Sequence, residues 1–132
     1  MSYNINDIIQ YRIEKSERTF LEAQSLKSSQ FWNGAVNRLY YTCYHIVSAL
    51  LIKDGINAST HNGVRSQFFK FYIKTEKMDR RFSVLYSDLM NKRQESDYDD
   101  FHEFKQEDVD PLFEEVEEFI NVIKKEINKA YL

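Results

Sequence analysis

Apolar positions recur every three or four residues along most of the chain, which is the period of helices with one buried face. Ile9, Ile13, Phe20, Ala23 and Leu26 form the first such stripe, with Ser16 in its gap and Ser28–Ser29 as its interruption. A second helix is predicted over residues 31–53, with Gly55 as its stop. The third carries Val64, Phe68, Phe71 and Tyr72 after an N-cap at Ser59 or Thr60. The fourth carries Phe82, Leu85, Tyr86 and Leu89 after Asp79, and Arg93 extends its inward stripe. A polar linker, ESDYDDFHEFKQED, follows. Asp110 and Pro111 then read as the N-cap and first turn of a last helix bearing Leu112, Val116, Phe119, Ile120, Ile123 and Ile127. Glu114 and Glu115 lie near its positive end and Lys124, Lys125 and Lys129 near its negative end. No segment alternates as a strand does. The predicted fold is all-α: an antiparallel four-helix bundle with an additional short helix.

At 132 residues the chain suits one hydrophobic core, so residues 1–132 are expected to form a single domain. Three glycines and one proline leave little for a turn-rich β fold. The one cysteine, Cys43, excludes an internal disulfide and suits a reducing cytoplasm. The start of the chain lacks the layout of a signal peptide, and no apolar run approaches the ~20 residues that span a bilayer. A cytoplasmic protein with no membrane partner is expected.

Charge changes this picture locally. The net charge is −3, but residues 62–93 hold eight Lys or Arg against three Asp or Glu, while residues 94–118 hold one against twelve. A local basic surface can meet phosphates even on an acidic protein. Solvation of helix faces accounts for the same charges equally well.

Candidate chemistry lies in the second predicted helix. His45 follows Arg38 by seven residues, ~20° short of two full turns and ~10 Å along the axis. Tyr41 and Thr42 fall between them, and Ala49 and Ile52 continue the line. Val36, Tyr40, Cys43, Val47, Leu50 and Leu51 lie opposite, facing the core. The mixed face suits another protein surface, and a two-fold dimer would bring two Arg–His pairs together. Spacing alone also fits a surface arginine in an ion pair and a half-buried histidine satisfied by a carbonyl.

The stretch NRLYYTCYHIVSALLIKDGI resembles the signature helix of the HEPN domain family, in which an arginine precedes a histidine by four to six intervening residues. The resemblance continues through THNGVRSQF, KTEKMDRRF and KRQESDYDDF in the expected order, over roughly residues 10–130. It implies an all-α homodimer and, for many members, metal-independent cleavage of RNA by toxins or defence effectors. Some members are encoded beside a nucleotidyltransferase that modifies a tyrosine two residues after the histidine; here that position is Val47, and Leu39 follows the arginine.

RNA carries its own nucleophile, the 2′-hydroxyl, so cleavage needs proton transfer and a cationic clamp. His45 is the expected proton-transfer residue and Arg38 the expected phosphate clamp, with Tyr41 and Thr42 as further substrate-binding candidates. Arg93 is read as a structural ion pair with Asp97, the rival role being direct substrate contact. No cofactor is expected: glycine-rich nucleotide loops are absent, and Asp99 and His102 make a single weak Asp-x-x-His. The expected partners are RNA, a second copy of the chain, and a cognate antitoxin or nucleotidyltransferase. The rival reading is a non-catalytic module that dimerises through the same helix and binds a nucleotide or a partner protein.

Overall fold

The computed structural model describes residues 2–129, so the two ends of the expected domain, Met1 and residues 130–132, lie outside the described residues. Its elements are α1 (Ile5–Ser28), α2 (Trp32–Lys53), α3 (His61–Phe68), a π-helical turn (Phe69–Ile73), α4 (Arg80–Tyr98) and α5 (Gln106–Ile127). No strand occurs among the described residues. The fold is an all-α bundle of four long helices and one short one.

α2 is the middle of the bundle. It packs on α1, α3, α4 and α5. Lys27 near the end of α1 pairs with Asp110 near the start of α5, and Glu17 pairs with Lys124, so these two helices run in opposite directions. Asn33 at the start of α2 bonds the His102 carbonyl and the Phe104 N–H just before α5, and Lys53 at its end reaches the Glu126 carbonyl. α2 and α5 therefore run the same way and meet through the middle, while α1 and α4 run the other way on either side. Between them sits a nearly continuous aromatic core of Tyr40, Tyr86, Phe68, Tyr72, Phe82 and Phe119.

Two helix ends set the connections. Past α2, Gly55 takes φ +70°, and the N–H groups of Gly55 and Ile56 close on the carbonyls of Ile52 and Leu51. This paired closure turns the chain back toward α2. The same closure ends α1, where Gln30 and Phe31 bond Lys27 and Leu26; here the left-handed residue is Gln30, at φ 63°, not a glycine.

Two expected boundaries change. α4 runs on to Tyr98 and α5 begins at Gln106, so the linker shrinks to residues 99–105. The Asp108 carboxylate takes the Lys105 N–H and starts α5 a turn before Asp110, which lies inside the helix with Pro111. Pro111 is the sixth residue of the helix and leaves the Glu107 carbonyl without its i+4 donor. The third helix also departs from even periodicity. The π turn, closed by Lys74 N–H on the Phe69 carbonyl, inserts a residue into the register. It buries Tyr72 and Ile73 and turns Phe71 out to 36% exposure.

The left-handed positions are directly testable. Gln30→Gly is expected to stabilise the protein by about 1 kcal/mol, and Gly55→Ala to destabilise it by about as much. Opposite shifts of the urea midpoint with unchanged slopes would verify both.

Candidate functional site

α2 is covered on nearly every side, so its accessible chemistry is confined to one stripe. Asn37, Arg38, Tyr41, Tyr44, His45 and Ile52 remain half-buried. The stripe is turned relative to the one expected from the helical wheel. Thr42 and Ala49 are fully buried. The Thr42 hydroxyl donates to the Arg38 carbonyl, and Ser16 of α1 donates to the Thr42 carbonyl at 2.7 Å. α1 thus covers this flank, and Thr42 is not brought to the surface that Arg38 and His45 share. Leu39 and Val47 are buried in the core.

Tyr41 is the hub of what is brought together. Its ring lies 5.3 Å from the Arg38 guanidinium, 5.7 Å from that of Arg93, 6.0 Å from the His45 ring and 5.9 Å from that of His61. Tyr44 joins the two histidines from a second side, with centroids 5.6 Å from His45 and 4.9 Å from His61. Arg38 is oriented by the side-chain amide oxygen of Asn37, which accepts from one terminal nitrogen at 2.6 Å, and by Glu22 at 3.7 Å. Arg93 is 8% exposed and lies 4.8 Å over the Tyr40 ring. It donates to the Tyr41 hydroxyl at 3.3 Å and reaches Asp97 at 3.7 Å.

From the sequence His61 reads as a capping or exposed residue at the start of the third helix, and Tyr44 is not singled out. His61 opens α3, and its Nδ1 lies 2.7 Å from the hydroxyl of the buried Tyr40. The available signal was its place in THNGVRSQF, where Thr60 caps α3 through the Gly63 N–H. Gly63 is required there: a Cβ would stand 2.8 Å from the Thr60 hydroxyl. Tyr44 belongs to neither the core-facing line of the second helix nor its Arg38–His45 line as read from the sequence.

The electrostatics favour neutral histidines and bound anions. Burial, with Lys15, Arg12 and Arg38 nearby, lowers His45 to about 4. His61 is lowered by burial and by Arg93. Burial raises Tyr40 to about 12, so its hydroxyl keeps its proton. Cys43 is fully buried and its thiol is raised by that burial, which makes it inert rather than nucleophilic. His102 sits apart, 3.5 Å from Glu95 and stacked edge-on to Phe104. Among the described residues no three of His, Cys, Asp or Glu converge as a metal site would need, and no helix is long and apolar enough to cross a membrane.

The all-α bundle of the described residues fits the family that the sequence matches. The HEPN domain matches residues 9–127, and the chain belongs to that family. Relatives include a candidate toxin of Methanocaldococcus jannaschii, 36% identical over 86% of this chain and 77% of its own. A UPF0332 protein of Thermotoga maritima is 32% identical over 89% of each chain. A second candidate toxin of Methanocaldococcus jannaschii is 26% identical over 98% of this chain and 96% of its own.

Two measurements check this electrostatic account. The His45 ring should titrate near 4 by NMR, and Lys15→Gln should raise that midpoint by relieving repulsion. A folded value below the ordinary 6.5 means that the unfolded chain binds the proton first, so His45 withdraws stability as pH falls from about 6.5 to about 4. Arg93→Ala should lower the melting temperature by a few degrees, because Tyr41 and Asp97 lose a buried partner and Tyr40 its cation. An unchanged melting temperature with lost activity would move Arg93 from support to substrate contact.

Proposed function

We propose that this protein is a metal-independent endoribonuclease, acting in the cytoplasm as a two-fold homodimer and serving as the toxin of a paired or defence system. The observation that carries this reading is the neutral His45, without a hydrogen-bond or carboxylate partner among the described residues, on the open stripe of α2 with Arg38, Arg12 and Lys15 near it. That arrangement suits a base next to a phosphate. The 2′-hydroxyl of RNA gives its proton to one His45 and bonds to the adjacent phosphorus as the bond to the 5′-oxygen breaks. Bound phosphate offsets the cations that hold His45 down, so a second copy takes up a proton and returns it to that leaving oxygen. The Arg38 side chains hold the charge that builds on the phosphate oxygens. Dimerisation along the α2 stripe, whose rim is Tyr44 and Ile52, supplies both copies. The two relatives named as candidate toxins support the toxin role, and a cognate antitoxin or nucleotidyltransferase is the partner such a role calls for.

Cleavage of mixed cellular RNA should survive EDTA, spare DNA, and leave 2′,3′-cyclic phosphate or 3′-phosphate ends. His45→Ala should lose on the order of 10²-fold or more, and Arg38→Ala should also lose activity, with helical content intact in both. Light scattering should find a dimer at micromolar concentration. If His45→Ala cuts as well as the unmodified protein, the activity lies elsewhere. If no RNA is cut, the stripe is a docking surface for a nucleotide or partner protein instead.

A further inference from the structure

We propose that His61 is a substrate-contacting residue of the same site, donating a hydrogen bond from its Nε2–H to a phosphate oxygen of the RNA backbone. The proposal rests on the ribonuclease reading above and adds a group from outside the Arg–His helix.

The position of His61 is over-determined. Thr60 and Gly63 fix the start of α3 and so place residue 61. Ring contacts with Tyr40 at 5.7 Å, Tyr44 at 4.9 Å and Tyr41 at 5.9 Å hold the imidazole against α2. Tyr40 is fully buried, and its hydroxyl meets His61 Nδ1 at 2.7 Å. We assign the Tyr40 hydroxyl, which keeps its proton, as the donor in this bond. Nδ1 then accepts, which puts the imidazole proton on Nε2. The ring is half-exposed, and Nε2 has no partner among the described residues. A donor is thus set in one tautomer and left open.

What surrounds that donor is anion-seeking. Tyr41 and Tyr44 touch both His61 and His45, so the two histidines border one patch. Arg38 and Arg93 both reach the Tyr41 ring of this patch, at 5.3 and 5.7 Å from its centroid. Neither histidine of the patch pairs with a carboxylate among the described residues, whereas His102 does. Two fixed cations, two neutral imidazoles and two tyrosine rings fit a phosphodiester with an adjoining base far better than a cation or an apolar peptide. His61 transfers no proton in this scheme; that task stays with His45.

Asn and Gln separate the two ring nitrogens. In His61→Asn the amide reaches the Nδ1 position, keeps the bond to Tyr40 and loses the outer donor. In His61→Gln the amide reaches the Nε2 position. Both variants and the unmodified protein would be assayed on a fluorescent single-stranded RNA, and for binding to its uncleavable 2′-O-methyl copy. His61→Asn should keep its melting temperature yet cut at least 10-fold more slowly and bind more weakly, and His61→Gln should recover part of both. If the unmodified protein cuts and His61→Asn cuts equally well, His61 only anchors α3, and this inference falls while the ribonuclease stands. Should both variants lose activity only in proportion to lost helical content, the residue is structural and the inference again falls. If the unmodified protein cuts no RNA, the ribonuclease reading fails and takes the role of His61 with it.

Discussion

The burial of α2 is the constraint on which the rest depends. A helix covered by four others must be apolar nearly all round, and twelve of its residues are buried. The surface it keeps is one stripe wide. Any polar side chain retained there is therefore conspicuous, and its neighbours come from whichever helices border the gap. α1 contributes Arg12 and Lys15, α3 contributes His61, and α4 contributes Arg93. The site is the one seam that the packing of the bundle leaves open along its central helix.

That seam is organised by aromatic rings rather than by ion pairs. Tyr40 and Tyr41 hold Arg93 through their faces and a hydroxyl, and Asp97 reaches it only at 3.7 Å. A guanidinium stacked on rings retains more of its charge for an external anion than one locked in a bidentate carboxylate pair. The surface pair Arg81–Glu118, where both terminal nitrogens meet the carboxylate, shows the opposite arrangement, far from the seam.

Much of this was legible in the sequence because bundles repeat a simple rule. The stripes of the fourth and fifth helices are buried as read, and in the first Ile9, Ile13 and Ala23 are buried while Phe20 and Leu26 are only partly so. The boundaries of α5 were misread because Asp110-Pro111 imitates a helix start, while Asp108 makes the start through a backbone contact that no pattern displays. Phe71 was misplaced because a π turn breaks the period on which the reading relied. On α2 the wheel found the line of Arg38, Tyr41 and His45, but not which flank α1 would cover, and so it also took in Thr42 and Ala49. His61 was placed at the start of the third helix but read as a cap or an exposed residue, because its meaning lies in a contact twenty-one residues back along the chain.

The crowding of cations around His45 carries a thermodynamic corollary. Burial, with help from Lys15, Arg12 and Arg38, holds its proton affinity down. A polyanion settling on the seam offsets part of that repulsion, so the imidazole becomes more basic in the complex than in the free protein. Linkage makes the effect mutual: whatever free energy the anion adds to protonation, protonation adds to anion binding. Occupancy of the seam and proton uptake from the buffer are then two readings of a single equilibrium, and the heat of complex formation depends on the ionisation enthalpy of the buffer chosen.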